Sequence, residues 1–259
     1  MELRQKKEAH CTPLETLQEE YGDHWIWVSF NPKHKLILAF VTGKISQENA
    51  DQLIKQTKEK NDGSLHIFFS DQRPHYSEAI LKYFGQPVQP KRKGTRGRHP
   101  KPRLEPSPGL LYVQIVKHRR KGRVIGVTTN LVFGTQEELQ EYLARAPCSR
   151  RVNTAFVERQ NNTLRHHNRR LTRKTLAFSK KAHWLRLQLH LCIGYYHFCL
   201  PHAGLREKLI PPTPTKGSGS PKKWRQMTPA MSAGVTDHVW SLQELLTYRI
   251  APQRTNNIK

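Results

Sequence analysis

Residues 24–30, HWIWVSF, alternate between side chains on the two faces of a strand, and this pattern constrains the fold more than any other. The next residues, 31–35, are NPKHK, in which an Asn-Pro pair and several charges interrupt the run as a turn does. Residues 36–43, LILAFVTG, are apolar again. The pattern predicts an antiparallel hairpin over residues 23–43, and therefore a fold built on a sheet.

The residues after the hairpin show helix and strand patterns in turn. Residues 46–60 have the spacing of an amphipathic helix with Ser46 as its N-cap. Residues 65–70 form a short apolar run that ends at Asp71, as strands covered on both faces do. A second helix is predicted for residues 76–85. We therefore expect an α/β fold with the strand 65–70 central in a mixed sheet.

Two later segments lack an apolar period. Residues 86–109 hold six prolines and seven Lys or Arg, which is typical of a loop or a disordered basic arm. Residues 211–223, PPTPTKGSGSPKK, have the composition of a flexible linker. The other predicted elements are strands 110–118 and 123–134 joined by the basic turn RRKG, helix 135–145, a long helix with the stripe Val157, Leu164, Leu171 and Phe178, helix 182–200, and a turn with a short helix in 228–250.

The charge balance indicates what kind of partner the chain binds. Lys and Arg number 44 and Asp and Glu number 20, so the formal net charge of the 259 residues is +24. Such an excess favours a polyanionic partner, and nucleic acid is the first candidate because phosphates give a basic surface most of its affinity. No apolar run approaches the roughly 20 residues of a membrane span, and the first ten residues lack a secretion signal. We therefore expect no membrane partner and a cytoplasmic location.

The cysteines give little support for a zinc knuckle or zinc ribbon. The sequence has four cysteines and no CxxC pair. Cys199 lies close to His197 and His202, but aromatic packing at a helix end is the simpler interpretation of YYHFCLPH.

One acid stands among many bases in residues 153–175, NTAFVERQNNTLRHHNRRLTRKT, and that acid is Glu158. On a helix, Asn162, Arg165 and Arg169 share its face. Glu158 therefore either pairs with a neighbouring polar side chain such as Arg159 or Asn162, or has a task of its own.

Asp71 suggests what that task is. A carboxylate at a strand end and another on a nearby helix can hold Mg²⁺ beside a phosphodiester, with surrounding bases on the DNA backbone. Asp71 can equally be a turn residue before Arg73-Pro74. The residues by themselves leave both interpretations open.

Several long motifs, in order from about residue 5 to residue 250, resemble insertion-sequence transposases of the IS-one type. They are GDHWIWVSFNPKHKLILAFVTGK, FFSDQRPHY, NTAFVERQNNTLRHHNRRLTRKTLAFSKKAHW, GYYHFCLPHAGLR and TPAMSAGVTDHVWSLQELL. The resemblance implies a DDE transposase with an RNase H-like fold, three carboxylates that bind two Mg²⁺ or Mn²⁺ ions, and strand transfer of DNA ends. By matching motifs, Asp71 corresponds to the second acid and Glu158 to the third, so both are expected catalytic and metal-binding residues.

The sequence departs from that family at the first acid, which lies in a DE-x-W strand. MELRQKKEAHC resembles the residues just after that strand, so the first strand is expected to be largely missing and the chain to be N-terminally truncated. Asp23 in GDHW precedes the second strand in the family and is a weak substitute, and Asn31 stands where relatives often have Asp. We therefore expect a catalytically impaired transposase. A non-catalytic DNA-binding remnant and an unrelated basic nucleic-acid-binding protein are the alternatives.

The expected organisation has three parts. Residues 1–22 are a residual N-terminal segment, residues 23–200 are the RNase H-like domain with the basic insertion 86–109, and residues 201–259 are a linker and a C-terminal helical tail. The partners would be transposon ends and target DNA in the nucleoid. The sequence leaves open whether the chain forms a homo-oligomer. The expected DNA-contacting residues are Lys91, Arg92, Lys93, Arg96, Arg98, Arg119, Arg120, Lys121, Arg159, Arg165, Arg169, Arg170, Arg173 and Lys174.

Overall fold

A computed structural model describes most of the chain. The described residues are 2–4, 10–14, 23–61, 63, 67–91, 100–172, 176–177, 179, 181–215, 217 and 219–249. The chain divides into two compact units, one of Met1–Lys33 and Ile37–Arg186, and one of His34–Leu36 and Leu187–Lys259. Each unit is described by itself below.

The described residues form the following strands and helices. The strands are β1 (Glu2–Arg4), β2 (Asp23–Asn31), β3 (Leu36–Gly43), β4 (Ile67–Asp71), β5 (Gly85–Val88), β6 (Arg103–Pro106), β7 (Leu111–Arg120), β8 (Arg123–Phe133), β9 (Glu207–Thr213) and β10 (Lys222–Arg225). The helices are α1 (Gln47–Glu59), α2 (His75–Phe84), α3 (Gln136–Arg145), α4 (Ala155–His167), α5 (Ala182–Phe198), α6 (Pro229–Ser232) and α7 (Leu242–Thr247).

The predicted hairpin is confirmed. β2 and β3 are neighbours in a sheet of order β1-β2-β3, and the tight turn between them makes the pair antiparallel. The short strand β1 pairs antiparallel with the first residues of β2, with Glu2 opposite Trp25 and Arg4 opposite Asp23.

The helices after the hairpin begin and end close to where the sequence predicts. The Ser46 hydroxyl accepts the backbone N–H of Asn49 and caps α1, as its position before an amphipathic run indicates. Gly85 follows the last residue of α2. These boundaries are local properties of the chain, which explains why the residue pattern finds them.

A second sheet, of order β4-β7-β8, is mixed, as expected for the α/β class. β4 runs parallel to β7 from Ile67 opposite Leu111 to Asp71 opposite Ile115, and β7 is antiparallel to β8. The expected central position of the strand 65–70 is wrong for the part that the structure describes. β7 is central and β4 is an edge strand, because the described residues place a strand on only one side of β4.

The turn between β7 and β8 is built from Lys121 and Gly122. Their φ angles are +49° and +77°, so both central residues are in the left-handed region that two-residue hairpin turns of type I′ require. Glycine suits the second of these positions because it has no side chain to clash there.

Two segments without an apolar period are more ordered at their ends than predicted. The ends of the insertion 86–109 pair as β5 and β6, with Gly85 opposite Pro106. In the second unit, β9 and β10 pair antiparallel and include both ends of the proposed linker 211–223. Backbone pairing between distant polar residues causes both differences, and no local apolar pattern reports it.

The prediction of one long helix from the apolar stripe that begins at Val157 is also wrong. α4 ends at His167, and the backbone of Asn168 is extended, with φ −132° and ψ 102°. The buried Asn168 side chain accepts the backbone N–H of Arg170 and starts a single 3-10 turn, Arg169–Leu171. Phe178 lies outside the described residues.

One hydrophobic core in the first unit joins the two sheets to α1 and α2. Trp27, Leu53, Ile80 and Tyr112 are buried members of it, and the Phe68 and Phe84 rings pack edge to face with centroids 5.0 Å apart. Each fully buried large side chain contributes about 1.5–3 kcal/mol by transfer from water. The core thus fixes β2 and β4 relative to each other.

In the second unit, the segment around Cys199 packs through an aromatic contact. The rings of Phe198 and Trp240 lie 4.4 Å apart, and the Cys199 thiol lies 3.7 Å from the carbonyl oxygen of Ser241. The described residues contain no group of three or more His, Cys, Asp or Glu side chains that could hold a metal ion. The ring contact is the aromatic packing that the sequence favours for this segment.

Candidate metal and nucleic-acid site

A cavity of about 790 Å³ lies in the first unit. Its wall includes residues 25–33 of the hairpin, all of β4, and the first turn of α4. Asp71 and Glu158 both line it. Two acids that are far apart in the sequence are thus brought to one space.

Asp71 is the last residue of β4, and its side chain is 61% exposed. Its Oδ2 lies 3.5 Å from Nε of Arg73, and the Arg73 guanidinium in turn lies 5.0 Å from the centroid of the Trp25 ring. Its carbonyl oxygen accepts the backbone N–H of Arg73 at 2.8 Å. Asp71 therefore takes part in a turn through its backbone while its carboxylate lines the cavity.

Glu158 lies in the first turn of α4, where the helix dipole favours a negative charge. The Thr154 hydroxyl donates to its Oε1 at 2.8 Å, and the Lys117 ammonium donates to the same oxygen. Burial raises the pKa of Glu158. The hydrogen bonds from Lys117 and Thr154 and the charges of Lys117 and Arg119 lower it by a larger amount, so the net shift is downward. Glu158 is therefore ionised at neutral pH.

The register of β4 and β7 relates the two acids. Asp71 lies opposite Ile115, and Lys117 follows two residues later on the same face of β7. Two residues along a strand span about 7 Å. The Lys117 side chain that binds Glu158 therefore starts about one such step beyond Asp71, on the same face of the sheet.

The donor set of the cavity suits a hard cation. Asp71 and Glu158 offer carboxylate oxygens, and Mg²⁺ takes one or two carboxylates together with waters and substrate phosphates. These two residues would hold the ion. Asp71 and Glu158 are the two acids among the described residues that line the cavity, whereas the resemblance implies three.

The predicted DNA-contacting residues fall at several places. Arg119, Arg120 and Lys121 form the exposed tip of the β7–β8 hairpin, and Lys91 is exposed after β5. Arg159 is exposed on α4, and Arg165 is half-buried there, with Nη1 donating to Asn162 at 3.0 Å. Arg169 and Arg170 are exposed in the 3-10 turn, and Arg170 donates to the Ser179 hydroxyl at 3.0 Å.

Other predicted residues cannot be placed. Asp23 begins β2, but its side chain is outside the described part of the chain. The remaining basic residues of the prediction lie outside the described residues, and they are Arg92, Lys93, Arg96, Arg98, Arg173 and Lys174. Their roles stay predictions.

Sequence reasoning missed the residues that hold Glu158. The partners predicted for Glu158 are Arg159 and Asn162. The observed partners are instead Lys117, which lies on β7, and Thr154, which precedes the helix. Lys117 is the first cation of β7 and follows a mainly apolar run, which is the one signal that could have marked it. Its pairing with Glu158 depends on the tertiary fold.

Comparisons with known proteins add no further constraint. No protein-family model matches the sequence, no curated protein matches it, and no solved structure matches the fold. No described helix has the length and apolar character needed to cross a bilayer.

Proposed function

We propose that this protein binds DNA and acts on its phosphodiester backbone as a DDE-class transposase with impaired catalysis. Asp71 and Glu158 would bind a divalent cation, Mg²⁺ or Mn²⁺, and the basic surface would bind the DNA strands. The observation that carries the proposal is that these two carboxylates line one cavity. The proposal also rests on the formal charge of +24, which favours a polyanionic substrate.

Each part of the site has a separate role in this proposal. Lys117 and Thr154 orient the carboxylate of Glu158 and keep it ionised. Arg73 lies beside Asp71 and can pair with a phosphate oxygen when the cation takes the carboxylate. The hairpin tip, Arg119 to Lys121, supplies exposed cations for the DNA backbone.

A bound cation would neutralise phosphate charge and lower the pKa of a coordinated water. Two carboxylates position this chemistry less well than three, and positioning supplies much of the rate in phosphoryl transfer. We therefore expect slow strand cleavage and no complete transposition by this chain.

A second candidate is a DNA-binding protein without catalysis. The chain's own cations favour it, because Lys117 pairs with Glu158 and Arg73 lies beside Asp71. Those pairs partly neutralise the charges that would attract a metal ion. DNA binding is common to both candidates, so cleavage distinguishes them.

The test is nicking of supercoiled DNA by the purified chain with Mg²⁺ or Mn²⁺, beside Asp71→Asn and Glu158→Gln. Asp51→Asn is the matched control, because Asp51 pairs with Lys82 and does not line the cavity. We expect slow nicking by the parent and the control and at least about tenfold less by either site variant. Equal nicking by all four proteins contradicts the assignment of the two acids. No nicking by any of them, with DNA binding intact, favours the second candidate.

A further inference from the structure

In the second unit, β9 and β10 form a two-stranded ribbon that lies at the surface of the protein. Every residue of the two strands is exposed except Leu209, which is half-buried. Four of these residues are Lys or Arg, and Glu207 is the only acid among them. The charge of the ribbon therefore favours contact with a polyanion.

The register of the ribbon sorts its side chains into two faces. Trp224 lies opposite Lys208, and Arg225 lies opposite Glu207. Directly opposite residues of an antiparallel pair project to the same face, and successive residues project to opposite faces. Trp224 and Lys208 therefore share one face of the ribbon, and Arg225 and Glu207 share the other.

The face that carries Arg225 and Glu207 is used within the protein. These two side chains form an ion pair, with 3.9 Å between Arg225 Nη1 and Glu207 Oε2. Arg225 Nη2 also donates to the carbonyl oxygen of Asp237 at 2.9 Å, which ties this face to the segment between α6 and α7. The acid of the ribbon is thus paired, and it lies away from Trp224.

The opposite face combines an aromatic ring with cations. The Arg206 guanidinium, just before β9, lies 4.3 Å from the centroid of the Trp224 ring, and Trp224 is 39% exposed. Lys208 is exposed opposite Trp224, and the exposed Ile210 follows two residues later on the same face. These four residues, Arg206, Lys208, Ile210 and Trp224, are named the Trp224 face.

The chemistry of the Trp224 face suits a nucleic acid with unpaired bases. Cations bind the phosphates, whereas an exposed aromatic ring or a guanidinium plane offers a surface on which an unpaired base stacks. In a duplex the bases are stacked on one another, so a protein contacts mainly phosphates, sugars and base edges. An exposed indole ring therefore contributes more to the binding of a single strand than to the binding of a duplex.

We propose that the Trp224 face is a binding site for single-stranded DNA. One base stacks against the pair formed by Trp224 and Arg206, Lys208 pairs with a phosphate, and Ile210 contacts the apolar surface of a sugar or base. This inference deepens the proposed function, on which it rests for the choice of DNA as the polyanion. It assigns the second unit a DNA contact of its own.

The experiment measures DNA binding by fluorescence anisotropy in the presence of a chelator. The probes are a deoxythymidine oligomer of about ten nucleotides, an abasic oligomer of the same length, and a duplex. The parent is compared with Trp224→Ala, Trp224→Phe and Lys208→Gln. Trp184→Ala is the matched control, because Trp184 is an exposed tryptophan of α5, with 56% of its surface accessible.

Trp224→Ala is expected to bind the deoxythymidine oligomer about tenfold more weakly, because base stacking is lost, and Trp224→Phe is expected to restore most of that loss. The affinity of Trp224→Ala for the abasic oligomer, which keeps the phosphates, is expected to change little. Lys208→Gln is expected to reduce the salt slope by about 0.7 with both oligomers, since one phosphate contact is lost. Trp184→Ala is expected to bind as the parent does.

Four outcomes overturn the proposal. They are unchanged oligomer binding by Trp224→Ala, equal weakening by Trp224→Ala and Trp184→Ala, equal weakening with the deoxythymidine and abasic oligomers, and equal weakening with the oligomer and the duplex. Duplex binding by the parent without oligomer binding overturns this site alone and leaves the proposed DNA partner. Binding of neither probe overturns both. The nicking assay tests the two acids separately, because the oligomers are measured in chelator.

A second measurement uses the unmodified protein and so does not depend on how the variants fold. The deoxythymidine oligomer is replaced by one that carries an iodinated deoxyuridine, which joins covalently to a stacked aromatic side chain under ultraviolet light. Mass spectrometry of the peptides is expected to find the adduct at Trp224. Adducts confined to other aromatic residues overturn the proposal.

Discussion

Glu158 is held ionised by a lysine from another element. The Lys117 ammonium and the Thr154 hydroxyl share its Oε1. A carboxylate kept charged in this way is ready to bind a cation, but it must exchange Lys117 for that cation. The ion pair is partly exposed, with 54% of the Glu158 side chain accessible, so its role is electrostatic tuning more than stability.

Replacing Lys117 by Met is expected to raise the pKa of Glu158. Burial, which raises this pKa, stays, whereas the largest contribution that lowers it is removed. The pKa is measured by carbon-13 NMR titration of the side-chain carboxyl. Lys55→Met, which removes an exposed partner of Glu59 on α1, is the control and is expected to leave Glu158 unchanged. An unchanged pKa in the Lys117 variant contradicts the assigned cause.

The pH dependence of stability follows from the same shift. Because the folded-state pKa of Glu158 lies below its ordinary value of 4.5, the folded protein favours the ionised form more than the unfolded chain does. The contribution of Glu158 to the free energy of unfolding is therefore present above about pH 4.5 and is lost as the pH falls through the lowered pKa. Urea unfolding is measured between pH 3 and 6. Below about pH 4.5, the free energy of unfolding is expected to fall less in Glu158→Gln than in the parent. An equal loss in the two proteins contradicts it.

Residue patterns singled out the two acids but not their neighbours. Asp71 was identifiable because it ends an apolar strand, and Glu158 because it is the only acid in a basic segment. Arg73 is a sequence neighbour of Asp71, but Lys117 becomes recognisable as a partner of Glu158 only when β7 is placed in space. Ion pairs between distant elements leave no periodic signal in a single sequence.

At the scale of elements, local capping sets where helices begin. In α3, the Glu138 N–H donates to the Thr135 hydroxyl at 3.2 Å, and the Thr135 N–H donates to the Glu138 carboxylate at 2.8 Å. This reciprocal pair satisfies two backbone groups that the helix itself leaves without partners.

Thr135→Ala is expected to lower the free energy of unfolding by about 1 kcal/mol, because the cap is lost. Thr163→Ala is the matched control. The Thr163 hydroxyl donates to the Arg159 carbonyl inside α4, and such a bond does not cap a helix end. Urea unfolding measures both variants. An equal loss in the two variants contradicts the capping account.

The elements found from sequence are those with a strong local period. The hairpin, α1, α2 and α3 were predicted close to their observed bounds. The end of α4 was missed because it depends on the buried Asn168 side chain, and the β5–β6 and β9–β10 pairs were missed because they join polar segments across loops. The edge position of β4 depends on which strands meet in space and could not be deduced from its apolar run.

At the scale of the whole molecule, net charge is expected to dominate binding to polyanions. The affinity for duplex DNA should fall steeply with salt, because binding releases counterions from many phosphates. This dependence is a property of the charge distribution and does not require the carboxylate site.

Removing Arg120 and Lys121 from the hairpin tip is expected to reduce the salt slope of DNA binding by about 2, at about 0.9 for each phosphate contact. The control Lys55→Ala with Lys60→Ala removes the same charge from exposed positions on and just after α1. Fluorescence anisotropy over a range of salt concentrations measures both. Equal slopes for the two double variants contradict a specific role of the hairpin tip.

The proposed site requires Asp71 and Glu158 to bind a divalent cation together in the presence of DNA. Electron paramagnetic resonance measures it directly as Mn²⁺ is titrated into the protein with a short duplex, for the parent, Asp71→Asn, Glu158→Gln and the control Asp51→Asn. One bound Mn²⁺ is expected in the parent and the control, and about tenfold weaker binding in each site variant. DNA affinity in chelator should be the same for all four proteins. Equal Mn²⁺ affinity in the parent and both site variants would contradict a metal site formed by these two acids.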